Sequence, residues 1–195
     1  MFLKKQARRG FTLTEIAIVL GIMGLILGAI WVAAAAVYTN MRVNTGAREI
    51  LALLQGTRSV YSTSSLTGEV GNPVEITTQL VNAGVFTKEM LAGAITVNPW
   101  NVGAVANTIK VWSSHLSADG DAITVTFLAL PQAACIALFT ALAGNNADPG
   151  LAFVNNAGTG AVGAKAPPVS ATWANTTGCA AGNANVVDFT FKLKG

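Results

Sequence analysis

The chain has 195 residues, of which 11% are charged and 52% are hydrophobic. Its formal charge of +3 comes from its beginning, because four of the 12 basic residues lie within residues 1–10 and the remaining eight stand against nine acidic residues. The length predicts one soluble domain beyond any membrane segment. The charge balance gives no basis for binding nucleic acid.

The beginning of the chain combines a basic stretch with a long apolar run. After the four cations of residues 1–10, the run Ile16–Val37 contains no charge and no proline, and it is long enough for a membrane-spanning helix. A secretory signal peptide has a shorter apolar core and a small-residue cleavage site, and neither property fits. A signal anchor explains the cations but not Glu15, since a carboxylate in an apolar segment is costly without a partner.

The order of basic residues, glycine, phenylalanine and glutamate resembles that of type IV prepilins. The residues concerned are Lys4, Lys5, Arg8, Arg9, Gly10, Phe11 and Glu15, followed by the apolar run. The resemblance implies that a prepilin peptidase cleaves between Gly10 and Phe11 and that the new amine of Phe11 is N-methylated. It also implies that an inner-membrane assembly platform and its ATPase polymerise the product into a helical homo-oligomer.

Glu15 has two interpretations once cleavage has created a cationic amine at Phe11. The resemblance implies that Glu15 of one subunit pairs with the Phe11 amine of a neighbour and so sets the register of assembly. The alternative is that Glu15 pairs with its own amine, four residues away on the same helix. The sequence permits both.

Small residues recur at helical spacing along the apolar run. Small side chains allow helices to approach closely where apolar contact with lipid gives no net gain. The pattern therefore predicts a packing surface for a filament core, although glycines scattered through a membrane helix would give the same pattern. The residues are Ala17, Gly21, Gly24, Gly28 and Ala35.

The helix is expected to continue to about residue 62, because Val43, Ile50 and Leu54 lie on one helical face, although Gly46 and Gly56 weaken the pattern locally. The expected organisation is a cleaved leader 1–10, a membrane or filament-core helix 11–40, an amphipathic continuation 41–62 and a globular head 63–195. Within the head we predict a loop at 62–72, a helix at 74–81, a helical turn at 88–91, paired strands at 108–112 and 122–128, a helix at 131–142, a strand at 151–154, an exposed loop at 155–179 and a strand at 186–193. The predicted fold class is α+β, with a long N-terminal helix packed on an antiparallel sheet and short helices.

Two cysteines, Cys135 and Cys179, lie in the second half of the chain. Export favours a disulfide bond between them, which would stabilise the fold by about 4 kcal/mol in the chain-entropy model. A metal site and a catalytic thiol are the alternatives, and a single histidine without any Cys-x-x-Cys pair argues against both. The segment 135–179 resembles the disulfide-bounded region of type IVb pilins, above all those of conjugative thin pili and enteric adhesion pili, whereas phenylalanine after the cleavage site is more usual in type IVa.

Two stretches of the head invite a catalytic or metal-binding interpretation. His115 lies near Ser113, Ser114 and Asp119, but a catalytic triad is defined by geometry and not by proximity in sequence. Residues 119–121 contain two aspartates and lack the ligands of a calcium loop. We interpret both stretches as turns and expect no metal and no cofactor.

The sequence thus predicts a structural protein and not an enzyme. The expected protein is the major subunit of a type IV pilus, held in the inner membrane before assembly and extracellular afterwards, with a role in adhesion, aggregation or conjugative contact. The alternatives are a minor pilin, a type II secretion pseudopilin, a tip adhesin that binds its ligand through residues 155–179, and a membrane-anchored enzyme.

Overall fold

The computed structural model describes residues 12–62, 72–100, 107–117, 120–159 and 165–193. The predicted cleavage and methylation site, Gly10 and Phe11, lies outside the described residues, as does Asp119. The chain divides into two units, one ending at Asn40 and the other running from Met41 to Gly195. Each unit is described by itself.

Helix α1 runs from Leu13 to Val60, a length of 48 residues. Its most apolar 18-residue window has a mean hydropathy of 2.6 and is 0% buried. By length and composition, α1 is the one helix among the described residues that could cross a membrane. In the second unit, α1 becomes amphipathic, and Ile50, Leu53 and Leu54 are buried there.

The second unit combines short helices with antiparallel strands. In chain order, its elements are β1 (Val74–Glu75), α2 (Thr77–Asn82), a 3₁₀ turn (Lys88–Met90), β2 (Leu91–Ala92), β3 (Ile95–Thr96), β4 (Ile109–Ser114), β5 (Ala122–Leu130), α3 (Gln132–Ala143), β6 (Leu151–Asn155), α4 (Ala171–Trp173), a π-helical turn (Ala174–Gly178) and β7 (Asn185–Lys192). Five strands form one sheet in the order β1-β4-β5-β7-β6, and β2 pairs with β3 separately. The α+β prediction is confirmed.

The central strands β5 and β7 are antiparallel, with Val125 opposite Phe189 and Thr124 opposite Thr190. Because side chains alternate between the faces of a strand, Val125 and Phe189 share an apolar face. They are fully buried in one core together with Ile50 of α1. This burial fixes the amphipathic half of α1 against the sheet.

The opposite face of the sheet is buried but polar. The hydroxyl of Thr124 lies 2.8 Å from that of Ser114 and 2.9 Å from that of Thr190, and the hydroxyl of Thr126 donates to Asp188 over 2.5 Å. Buried polar groups need such partners. A hydroxyl ladder therefore links three neighbouring strands.

Additional hydrogen bonds lie along the part of β4 that the two-residue edge strand β1 leaves uncovered and along the other edge strand, β6. At β4, the hydroxyl of Thr96 donates to the carbonyl of Ile109 over 2.6 Å, and the N–H of Val111 donates to the hydroxyl of Thr77 over 3.0 Å. At β6, Val154 and Lys165 exchange backbone hydrogen bonds of 2.8 and 3.1 Å. These partners occupy backbone groups that an edge strand otherwise leaves open.

Two segments of the head differ from the prediction. Residues 74–81 were expected to be wholly helical, but Val74 and Glu75 pair with β4, and the helix begins only at Thr77. The segment 155–179 was expected to be an exposed loop, yet it contains α4 and the π-helical turn, and Val169 and Ala174 in it are buried. In both cases, contacts with the sheet and with α3 override a local composition that favours a single helix or a loop.

Candidate functional site

The first unit exposes apolar side chains along its whole described length. Leu13 is 85% exposed, Leu25 77% and Trp31 79%. Monomeric soluble proteins rarely expose apolar patches of more than a few hundred Å². This surface is therefore suited to contact with lipid or with other protein helices.

Glu15 and Thr12 form a reciprocal cap at the start of α1. The Oε2 atom of Glu15 accepts hydrogen bonds of 2.8 Å from both the backbone N–H and the hydroxyl of Thr12, while the N–H of Glu15 donates to that hydroxyl over 3.3 Å. This is the capping box of a Thr-x-x-Glu sequence. Sequence analysis missed Thr12, although the spacing Thr12-Leu-Thr-Glu15 is visible in the sequence.

The glycines of the first unit are not required by packing within the described chain. A Cβ atom added to Gly21, Gly24 or Gly28 would meet nothing within 4 Å. The space beside these glycines is therefore open to a second helix, which agrees with the predicted packing surface without testing it.

Two glycines in the second half of α1 are required by close packing. A Cβ atom at Gly46 would lie 2.9 Å from the ring of Trp100, and one at Gly56 would lie 2.5 Å from Cγ1 of Val85. These are the two positions that weakened the helix prediction. Glycine lowers helix propensity at both positions, and the close packing there explains why no larger side chain is present.

The predicted disulfide bond between Cys135 and Cys179 is present, with Cα atoms 6.0 Å apart and a sequence separation of 44. It links α3 to the segment that precedes β7. On the same side, the ring centroids of Phe139 and Trp173 lie 5.6 Å apart at 71°, and a Cβ atom at Gly178 would approach both rings within 3.1 Å. The disulfide-bounded segment is thus a packed layer.

Asp188 fastens the start of this layer to the sheet. One of its oxygens accepts the hydroxyl of Thr126, and the other accepts the N–H of Gly158 over 2.7 Å. Burial raises the pKa of Asp188 above its usual value, although the hydrogen bonds from Thr126, Gly158 and Ala157 lower it in part. Sequence analysis gave no signal for Asp188, since its partners are remote in the chain.

Glu49 is a second buried acid, in the amphipathic half of α1. Its side chain is 7% exposed, and its Oε2 atom has no hydrogen-bond partner in the described part of the chain. Burial raises the pKa of Glu49 to about 7, with a further contribution from the charge of Glu89. Glu49 is not among the apolar residues that define the predicted helical face, so sequence analysis had no signal for its burial.

The structure gives no support to a Ser-His-Asp site. Ser113 and Ser114 are adjacent in β4, so their side chains point to opposite faces of the sheet. The hydroxyl of Ser114 lies 2.8 Å from that of Thr124 within the buried ladder. His115 follows at the end of the strand and is half-buried.

The long exposed apolar helix, its capped start and the disulfide-bonded head are the features of a protein that an N-terminal helix anchors in a membrane. A family model for the prokaryotic N-terminal methylation motif matches residues 5–31. A family model described as PilS N terminal matches residues 40–192. The chain belongs to the PilS N-terminal family and is a type IV pilin.

The solved structures include a similar fold. The crystal structure of TcpA, a type IV pilin from the Vibrio cholerae El Tor biotype, matches with a TM-score of 0.51 and 16% sequence identity, over 77% of this chain and 98% of TcpA. At that identity the likeness shows the fold. No curated protein matches the chain significantly.

Membership of the type IV pilin family bears on the predictions of localisation, processing and protein class. The chain is made as a membrane-anchored precursor and becomes part of an extracellular pilus, as predicted. Its methylation motif implies processing by a prepilin peptidase and assembly into a pilus. Its family is one of structural proteins.

Proposed function

We propose that this chain is the major subunit of a type IV pilus. After removal of residues 1–10, the helix 11–40 leaves the membrane and becomes the core of the filament, while the head 63–195 forms its outer layer. The observation that carries this proposal is the fully exposed apolar surface of the first unit, with a single carboxylate at its start. Such a surface requires a cover of lipid before assembly and of neighbouring helices afterwards.

Glu15 is the register residue in this proposal. In the single subunit, Thr12 satisfies its carboxylate, so the group is not left without partners in the membrane. On assembly, the Phe11 amine of a neighbouring subunit would replace or join Thr12. Loss of one partner from a buried ion pair typically costs about 3–5 kcal/mol, which is enough to select one axial position over others.

The small residues of the apolar run supply the close helix contacts. Ala17, Gly21, Gly24 and Gly28 are exposed, and the glycines leave space for a backbone beside them. Small residues of this kind allow close approach between apolar helices. An inner-membrane platform and an assembly ATPase would supply the work of polymerisation.

The disulfide-bounded region 135–179 supports assignment to the type IVb subclass. Its disulfide bond joins α3 to the chain before β7. Within it, the ring of Phe139 packs against the ring of Trp173. We assign adhesion, aggregation or conjugative contact to the assembled filament.

The alternatives are weaker on specific grounds. A tip adhesin using residues 155–179 needs an exposed recognition surface, but Trp173 is half-buried against Phe139, which leaves Lys165 as the exposed charged residue among those described there. A minor pilin or pseudopilin shares every processing step. It is separated from a major pilin by its abundance in the filament.

The intact mass of protein sheared from producing cells tests the proposal. The expected dominant species begins at Phe11, is heavier by one methyl group, and is lighter by two hydrogens because of the Cys135–Cys179 bond. If the sheared fraction lacks the protein while the membrane contains the same processed mass, the protein is a minor pilin or pseudopilin. An uncleaved mass would contradict both.

A further inference from the structure

A groove of about 240 Å³ lies between α1 and the segment around the 3₁₀ turn. Its walls include Thr45, Arg48, Glu49 and Ala52 from α1 together with Glu89 and Met90 from the turn. The groove belongs entirely to the second unit. None of its lining residues belongs to the first unit or to the segment 135–179.

Glu49 gives the groove its chemistry. The side chain is nine-tenths buried, yet its Oε2 atom has no hydrogen-bond partner in the described chain. Burying a carboxylate without a partner is costly, and an apolar side chain at this helical position would avoid the cost. A second carboxylate, that of Glu89, raises the cost by repulsion.

The charge and shape of the groove select a type of ligand. The carboxylates of Glu49 and Glu89 against the guanidinium of Arg48 leave one negative charge, which one external cation would neutralise. Ala52 and Met90 add an apolar wall, and lysine and arginine bury their aliphatic stems along such surfaces while their charged ends reach a polar partner. The two carboxylates belong to no group of three or more His, Cys, Asp or Glu side chains that could hold a metal ion among the described residues, so they favour an amine or a guanidinium.

We propose that this groove is a socket for a lysine or arginine side chain of a second copy of this chain in the assembled filament. The inference rests on the proposed filament function. It adds a contact between the second units of two copies to the contacts that their apolar segments make. Since Arg48 already lines the groove, the exposed cations available for it among the described residues are Lys88, Lys165 and Lys192.

The socket gives Glu49 a role that folding does not explain. In the free subunit its Oε2 atom lacks a hydrogen-bond partner among the described residues, and in the filament the incoming cation would supply one. Truncating one member of a buried, hydrogen-bonded charge pair costs more than truncating an exposed pair. Removing a groove carboxylate should therefore lower the yield of filament without destabilising the free head.

The first test compares Glu49→Gln and Glu89→Gln in the full-length chain with the control Glu75→Gln, whose carboxylate pairs with Lys110 at 3.1 Å. The amount of sheared filament should fall about ten-fold or more in the groove variants and should stay unchanged in the control. None of the three variants should lower the Tm of the processed protein in detergent. A fall in Tm that accompanies filament loss would assign the carboxylates to folding and overturn the proposal.

The second test identifies the partner. Glu89→Lys should abolish filaments, and one of the reversals Lys88→Glu, Lys165→Glu or Lys192→Glu, or that of Lys194, which lies outside the described residues, should restore them in the double variant. Failure of every reversal overturns the proposal, and loss of wild-type filaments in a chelator would then identify a divalent cation as the occupant.

The amount of wild-type protein in the sheared fraction distinguishes failure of the proposed function from failure of the socket. If it is absent from the sheared fraction, the proposed function fails and the socket fails with it. If it is present and both glutamine variants are equally abundant, the socket alone is wrong.

Discussion

The Nη2 atom of Arg58 donates a 2.7 Å hydrogen bond to the backbone carbonyl of Lys192, 134 residues later in the chain. Arg58 lies in the last turn of α1, and Lys192 is the last residue of β7. Gly150 lies beside the same guanidinium, since a Cβ atom there would be 2.8 Å from Nη2. This hydrogen bond thereby connects the end of α1 to the end of β7.

Arg58→Lys should lower the free energy of unfolding of the head by about 1–3 kcal/mol, the usual cost of a lost charged hydrogen bond. The shorter, non-planar ammonium cannot reproduce the reach of the guanidinium to the Lys192 carbonyl. Thermal unfolding in detergent measures the effect. Arg48→Lys, at an exposed position of the same helix, is the control, and equal Tm values for both variants would contradict a structural role for Arg58.

Gly56→Ala should lower the Tm of the head, whereas Gly28→Ala should not. Alanine improves helix propensity by about 1 kcal/mol at either position. At Gly56 the new methyl group would also meet Val85 at 2.5 Å, and overpacking of this kind typically costs about 1–3 kcal/mol. A rise in Tm for Gly56→Ala would show that Val85 moves freely away and that the contact is loose.

Glu15→Ala should leave cleavage after Gly10 intact and abolish sheared filaments, because it removes the proposed partner of the Phe11 amine. Thr12→Val is the matched variant, since it removes the hydroxyl of the cap and keeps the carboxylate. Losing an N-cap side chain costs about 0.5–2 kcal/mol of helix stability, so filaments should persist in Thr12→Val. Equal filament loss in the two variants would instead assign Glu15 to capping.

Cys135→Ser and Cys179→Ser should each destabilise the head by about 4 kcal/mol in the chain-entropy model. The double variant should be no less stable than either single variant, because all three lack the same bond. Denaturant unfolding and the steady-state amount of processed protein measure the effect. Unchanged stability in the single variants would remove the structural role of the bond.

Glu49→Gln should stabilise the free head most at alkaline pH. Because the pKa of Glu49 is raised to about 7 in the folded head, the cost of ionising it is fully present above that pH and disappears as the pH falls toward the ordinary value of the carboxyl. The difference in Tm between variant and wild type should therefore shrink from pH 8 to pH 4.5. A difference independent of pH would show that Glu49 is not strained by ionisation.

Local sequence was sufficient for the elements whose patterns extend over many residues. The apolar run, the β-branched strands β4 and β5, and the helix α3 after Pro131 were all predicted within a few residues. Their side chains follow the helical and strand periods that burial imposes. The Thr12–Glu15 cap was equally local and readable, because the motif spans four residues.

The remaining features depend on partners distant in the chain. Residues 74–75 are a strand because β4 lies beside them, and residues 171–178 form helical turns that pack on α3 through Trp173 and Phe139. Glu49 follows the pattern of an exposed helical residue, and only the approach of the segment containing Glu89 buries it. No local propensity contains that information.

The hydroxyls of Thr77 and Thr96 along β4, and Lys165 along β6, have a consequence for subunits waiting in the membrane. Open strand edges would allow the sheets of neighbouring membrane-anchored precursors to pair with one another. With these backbone groups already engaged, fewer groups remain through which the sheet of a second copy could add a strand, which favours a precursor that stays monomeric until assembly.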